Sequence, residues 1–261
     1  MSQKLILWGS PASQPARAVY WLLLMKERPF HLNLVNVGKM GVPGPVAAVN
    51  PSGQVPTLQD GDITVYEMPA ILIYLCEKFG WTDLLPGDDL RRRTRVHQYL
   101  HFHHNWTRRA SQALMSPHVV VAFRELALAR GKTQVVAIAD DPGKLEAGRK
   151  VVRGVADLIE RGGFQDGDFL CGPGVTIADI ACYEELAQLT WGNLFALTEF
   201  PRLSKWSGEM AKLPFHDAAH RYNLDLGDIA TRPNTMARLI HAIDAGVAEL
   251  AAHNVTVQAY D

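Results

Sequence analysis

An α/β domain followed by an all-helical domain is the fold class that this 261-residue chain predicts. Residues 1–80 alternate strand-like and helix-like patterns, whereas after residue 90 the apolar residues recur only at helical spacing. Between the two, Pro86-Gly87-Asp88-Asp89 marks a linker over residues 81–89. The expected domains are therefore 1–80 and 90–261, the second ending in an amphipathic extension.

Leu5-Ile6-Leu7-Trp8 is a short apolar run closed by Gly9-Ser10-Pro11, and from Ala16 a helical stripe runs through Val19, Leu22 and Leu23 to Lys26. Pro29 stops that helix. Phe30, Leu32 and Leu34 then alternate with His31 and Asn33, the period of a half-buried strand. Past a Gly- and Pro-rich loop, Thr57-Leu58-Gln59 and Ile63-Thr64-Val65-Tyr66 flank Asp60-Gly61-Asp62, a hairpin signal. A helix follows from Pro69 to Lys78, stopped by Gly80. The order β-α-β, loop, β-β-α is that of a thioredoxin-like domain.

In the second domain one helix is expected from Leu90 to about Met115 and another from Val119 to Ala129. A third carries Leu145, Val152, Val155 and Ile159 on one face and closes at Gly162-Gly163. Thr176-Ile177-Ala178-Asp179 is a capping box, with Val175 and Ile180 placed as its hydrophobic staple. From near Asn234, Met236, Leu239, Ile240, Ile243, Val247 and Leu250 form one apolar stripe. No strand signal of comparable strength returns after residue 90.

Composition narrows function. Lys+Arg 26 against Asp+Glu 27 leaves a formal charge of -1, so no global field draws the chain to nucleic acid or anionic lipid. The three cysteines, Cys76, Cys171 and Cys182, show no disulfide or zinc spacing, which fits a reducing compartment. The longest apolar run, Ala70 to Cys76, is far below the roughly 18 residues of a spanning helix. A cytoplasmic protein without membrane or nucleic-acid partners is expected.

In a thioredoxin-like domain the loop after the first strand delivers a residue to the N-terminus of the first helix, where free N–H groups favour an anion. Here that residue is Ser13. Its hydroxyl cannot do cysteine-type redox chemistry, but it can hydrogen-bond a thiolate brought by a substrate. Lowering a thiol from about 8.5 by two units takes about 2.7 kcal/mol, within reach of one charge-assisted bond of roughly 1.5–3 kcal/mol. The alternative is that Ser13 only caps the helix. Val55-Pro56 stands where this fold places a cis-proline that exposes the preceding backbone to an extended peptide. Glu67 and Met68 open the next helix, suited to an ammonium group and a carboxylate. These three places along one edge match a small peptide with a central thiol and a free amino-acid end.

With these residues in view, the chain resembles the glutathione transferases, most closely the theta class and the related bacterial dichloromethane dehalogenases. The likeness lies in Ser10-Pro11-Ala12-Ser13-Gln14-Pro15-Ala16-Arg17, Asn50-Pro51-Ser52-Gly53-Gln54-Val55-Pro56, Asp60-Gly61-Asp62, and Glu67 with Ala70-Ile71-Leu72-Ile73-Tyr74-Leu75. It continues through Arg95-Val96-His97-Gln98-Tyr99-Leu100 and Val175-Thr176-Ile177-Ala178-Asp179, covering roughly residues 4–215.

The resemblance implies the cytosolic glutathione transferase architecture, with Ser13 activating glutathione as co-substrate and no further cofactor. It implies Gln54, Val55, Glu67, Met68, Asn105 and Arg108 around the peptide and Lys39 toward its glycyl carboxylate; Trp106 and Phe102, close to Arg108 in sequence, are expected to line the acceptor pocket, with packing in the core as the alternative. The partners would be glutathione, a small electrophile such as an alkyl halide, epoxide or peroxide, and a second subunit of a homodimer engaged in detoxification. Two departures stand out. Met68, followed by Pro69, replaces the usual hydroxyl residue, which removes a donor worth about ten- to a hundredfold in affinity. The loop Lys39-Met40-Gly41 lacks the histidine often found there. A rival reading is a transferase-like binding module without turnover.

His97, His101 and His104 recur at i, i+4 and i+7 with His103 alongside, but nothing supplies the remaining ligands of a metal site, so none is assigned. Arg91-Arg92-Arg93 is read as a solvated or dimer-facing helix start. The stripe of the C-terminal helix is expected to cover the mouth of the acceptor pocket, with a second subunit as the alternative.

Overall fold

The computed structural model describes residues 4–35, 44–122, 142–232 and 234–260. The first domain comprises β1 (Leu5–Gly9), α1 (Gln14–Met25), β2 (His31–Val35), β3 (Thr57–Asp60), β4 (Ile63–Tyr66) and α2 (Met68–Phe79). Pro15 lies in the first turn of α1, where its missing N–H removes nothing. Gly80 ends α2 at φ 66°, and Trp81 N–H returns to the Cys76 carbonyl at 2.9 Å. The linker is packed rather than loose: Leu84 and Leu85 are buried, and the Leu84 carbonyl accepts from Ile177 N–H at 3.1 Å.

The second domain holds α3 (Leu90–Phe102), a π-helical turn (His103–Thr107), α4 (Arg108–Ala122), α5 (Pro142–Gly162), α6 (Ile177–Trp191), α7 (Pro201–Met210), α8 (His216–Leu226) and α9 (Met236–Ala252). The single helix expected from Leu90 is thus interrupted by a wide turn. Residues 119–122 of the helix expected from Val119 to Ala129 continue α4 instead of starting a new helix, and residues 123–129 lie outside the described residues. The capping box is present: Thr176 Oγ1 accepts from Ala178 N–H, and Asp179 accepts from Thr176 N–H at 2.8 Å. Asp179 also takes Leu170 N–H at 2.8 Å and Trp206 Nε1–H at 3.0 Å, tying two other segments to the start of α6. Every residue of α6 from Ile177 to Leu189 is buried, so α6 is the axis of the domain.

A final strand corrects the expectation of helices alone. β5 (Thr256–Tyr260) follows α9 and pairs parallel to β2, from His31 opposite Thr256 to Val35 opposite Tyr260. The sheet therefore has five strands in the order β4-β3-β1-β2-β5, with β1 antiparallel to β3 and β3 to β4. β2 becomes an inner strand, and Asn33, expected on its open face, is buried at 6% exposure. Among the described residues no helix is long and apolar enough to cross a membrane. Cys76, Cys171 and Cys182 are free and buried, and burial pushes the thiols of Cys76 and Cys171 up to about 12 and that of Cys182 higher still.

Candidate active site

β1 ends at Gly9, and the chain turns through residues 10–13 into α1, closed by Ser13 N–H to the Ser10 carbonyl at 2.9 Å. Ser13 takes the N-cap position in extended backbone, yet its side chain caps nothing and makes no hydrogen bond among the described residues. A half-buried hydroxyl at the positive end of a helix is thus left available to a ligand.

The second wall is the loop before β3. Asn50, buried, donates through Nδ2 to the Gln54 carbonyl at 3.1 Å and to Thr57 Oγ1 at 2.9 Å, and Thr57 Oγ1 donates to the same carbonyl at 3.0 Å. These bonds hold Gln54 exposed and Val55 half-buried, while the Val55-Pro56 bond is cis, as the fold leads one to expect. The N–H and C=O of Val55 have no partner among the described residues. The third wall is the start of α2. Glu67 is exposed at φ 68°, its carboxylate capping nothing, whereas the Met68 side chain is 4% exposed and belongs to the core. Met68 thus brings only its N–H to this edge.

Two adjacent carboxylates of α6 tie the helical domain to the turn bearing Ser13. Glu184 accepts from Arg17 Nε at 2.8 Å and faces His220 Nε2 at 2.9 Å, and Arg17 Nη1 donates to the Pro11 carbonyl at 2.9 Å. All three side chains are buried, and the guanidinium stands 5.9 Å from the centre of the Tyr222 ring. Burial pushes the Glu184 carboxyl up, but the charges and hydrogen bonds of His220 and Arg17 outweigh it and hold the group below its ordinary value. Glu185 accepts from Arg108 Nη1 at 2.6 Å and from Gln188 Nε2 at 3.3 Å, and Gln188 in turn accepts from Gln14 Nε2 at 2.6 Å. Here burial wins over Arg108 and Ser111, and the Glu185 carboxyl is raised. A chain of three hydrogen bonds therefore runs from Gln14, next to Ser13, to Arg108.

Of the other predicted residues, Asn105 is exposed, its Nδ2 donating weakly to the His101 carbonyl at 3.4 Å. Trp106 is 53% exposed and stacks on Phe102 with ring centres 6.0 Å apart. Lys39 lies outside the described residues. On the histidine face His97 is half-buried and His101 and His104 are exposed, whereas His103 is buried with neither ring nitrogen bonded among the described residues. No group of three or more metal-ligating side chains comes together among the described residues. The arginine run is partly structural: Arg92 donates to the carbonyls of Cys171 at 3.0 Å and Gly174 at 2.8 Å, and Arg93 pairs with Glu77. Sequence reading did not find Arg17, Glu184, Glu185, Gln188 or His220 as parts of the site. Charged residues on the otherwise apolar faces of α1 and α6 were the one available signal.

Residues 7–83 match the family described as glutathione S-transferase, N-terminal domain, and residues 141–214 match its C-terminal domain. The dichloromethane dehalogenase of Methylophilus leisingeri is 29% identical over 215 residues, 80% of this chain and 76% of that one. Rat glutathione S-transferase theta-1 is 31% identical over 195 residues, 74% of this chain and 77% of its own. Among solved structures, human glutathione-S-transferase T1-1 in its apo form superposes with a TM-score of 0.73 at 27% identity, covering 94% of this chain and 99% of that one. A human theta-class enzyme in complex with the glutathione conjugate of 1-menaphthyl sulfate gives 0.71 at 29% identity, covering 94% and 98%. The chain belongs to the glutathione S-transferase family. Within it, the likeness is to the theta-class transferases, and the protein is a transferase enzyme; the reading as a binding module without turnover is not favoured.

Proposed function

We propose that the chain conjugates glutathione, through its cysteinyl sulfur, to a small electrophile bound beside the π turn. The observation that carries this reading is the Ser13 hydroxyl, presented at the N-terminus of α1 and hydrogen-bonded to nothing among the described residues. Ser13 Oγ–H donates to the thiolate, and the helix dipole adds to it. The exposed Glu67 carboxylate takes the ammonium group of the peptide, the Met68 N–H takes its α-carboxylate, and the free backbone of Val55 pairs with its central residue. Gln54, Asn105, Arg108 and Lys39 complete the peptide's surroundings, and Trp106 with Phe102 offers apolar surface to the acceptor.

In the reaction the sulfur lone pair forms a bond to carbon while the bond to the leaving group breaks, and the leaving group departs with that electron pair. Ser13 keeps its proton throughout, because its role is to stabilise the anion. Alkyl halides and epoxides are the acceptors this chemistry suits, with peroxides as the reductive counterpart. A halide-releasing relative and a structure holding a conjugate of a sulfate ester both support a carbon acceptor with a good leaving group. A cytoplasmic setting fits the buried, free thiols, and a homodimer is the assembly that the family implies.

Ser13→Ala tests the reading. It should preserve the fold and most of the glutathione affinity, raise the thiol pKa of the bound peptide, and cut conjugation at neutral pH by at least tenfold. Unchanged turnover in that variant would remove Ser13 from the mechanism.

A further inference from the structure

Gly246 lies in the middle of α9, where glycine costs about 1 kcal/mol of helix stability relative to alanine. A Cβ at that position would stand 2.9 Å from Pro11 Cβ, 3.2 Å from Pro11 Cγ and 3.4 Å from Tyr222 Cβ. Pro11 belongs to the turn closed by Ser13 N–H on the Ser10 carbonyl. Its carbonyl is held by Arg17, and its ring rests on the bare backbone of α9. The turn is therefore gripped from two sides.

The helix behind it is itself fixed at both ends. Just before α9, Asn234 Nδ2 donates to the His118 carbonyl at 2.7 Å. After it, β5 is paired along the whole of β2, and Tyr260 lies 4.8 Å, ring centre to ring centre, from Trp8 of β1, the strand that leads into the turn. Leu239, Ala242, Ile243, Gly246 and Leu250 form the buried face of α9, which lies against α8 and Pro11. Of the expected stripe, Leu239, Ile243 and Leu250 are thus covered within the chain at the back of the turn, Met236 and Val247 are half-buried, and Ile240 is 48% exposed.

We propose that Gly246 is a positioning residue for the conjugation reaction: by letting α9 touch Pro11, it sets where the Ser13 hydroxyl stands relative to the bound thiol. The inference rests on the reading that Ser13 holds the thiolate. A methyl group at 246 meets a ring fixed to the backbone rather than the end of a flexible side chain, so the turn must move to admit it. The peptide's amino-acid end, held at Glu67 and Met68 on a different element, does not share that displacement.

The test is the pH dependence of conjugation and of the thiolate absorbance of bound glutathione, in the full chain, for Gly246→Ala beside Ser13→Ala and Gly154→Ala. Gly154 is also helical, in α5, with nothing among the described residues within 4 Å of its would-be Cβ, so it reports the helix effect alone. Gly246→Ala should lower kcat at neutral pH fivefold or more and move the thiol titration at least half a unit upward, with the KM for glutathione within twofold of the parent. Gly154→Ala should change neither. Ile243→Val, one turn earlier on the same buried face, removes a single methylene and keeps the fold. It should shift the titration in the same direction by less, and it decides the matter if Gly246→Ala does not fold. If Ser13→Ala moves the titration while Gly246→Ala and Ile243→Val leave it unchanged, the inference fails alone. If Ser13→Ala also leaves it unchanged, the thiolate reading falls and takes the inference with it.

Discussion

Glu184 and Glu185 are neighbours on α6, equally buried, and shifted in opposite directions. Glu184 sits between Arg17 and His220, so its folded value lies below its unfolded one; its stabilisation is present above about 4.5, the ordinary value, and is lost as pH falls through the folded value. Glu185 has one partly exposed arginine, Arg108, and burial prevails. Its contribution is present below about 4.5 and is lost as pH rises through its raised folded value. Glu184→Gln should accordingly cost roughly 3–5 kcal/mol at pH 7, because it leaves Arg17 buried without a counter-charge. Glu185→Gln should cost under about 2 kcal/mol, since Arg108 can reach water, and thermal unfolding at pH 5 and 7 compares the two. Met68 calls for the same weighing of opposed effects. Its buried side chain means that Met68→Ser should lower stability by roughly 2–4 kcal/mol while adding a donor worth up to about a hundredfold in glutathione affinity. Calorimetric titration alongside thermal unfolding separates the two effects. At this scale Ser13, Val55 and Glu67 were legible in the sequence because each is marked by a local signal: a strand end, an X-Pro bond, a helix start. Arg17 and Glu184 were not, because the bond joining them spans 167 residues and no local pattern records it.

Among the elements, the π turn shows where periodic reading breaks down. An uninterrupted α-helix would place His97, His101 and His104 on one face, and such a face was expected. The five-residue π turn at His103–Thr107 widens the helix and rotates α4 relative to α3. His103 continues the buried stripe of Val96, Tyr99 and Leu100 into the turn, and Asn105 and Trp106 are left exposed just before Arg108. Burial, helped by the charge of Arg108, lowers the His103 imidazole to about 3. An unfolded histidine takes up a proton near 6.5, so stability associated with His103 is complete above that pH and is lost progressively down to about 3. The slope is about 1.4 kcal/mol per pH unit for one proton. His103→Phe, which keeps ring volume without a basic nitrogen, should flatten the decline in stability between pH 6 and 4. Denaturant midpoints measured across that range test this; a parallel decline in variant and parent would show that His103 takes no part in it.

For the molecule as a whole, the organising feature is the return of the C-terminus to the first domain. The α/β and helical domains and most of their elements were legible, because strands, hairpin and caps are local. β5 was not read, although Thr256, Val257 and Tyr260 favour strands: so short a run directly after a helix becomes ordered only by pairing with β2, more than two hundred residues earlier in the chain. That pairing covers the outer edge of β2, leaving as the new edge a strand with Thr256, Gln258 and Ala259 exposed. A chain ending at Val255 should therefore lose more than five residues of sheet. It would bare the N–H and C=O groups along His31–Val35 and free the end of α9 from the sheet. The expected result is a lower melting temperature together with concentration-dependent self-association, visible in light scattering and suppressed by a synthetic peptide of residues 256–261. If the shortened chain keeps its melting temperature and scatters as the parent does, β5 is an ornament of the sheet rather than its closing strand. In that case α9 must be seated on Pro11 and α8 by its own apolar face alone.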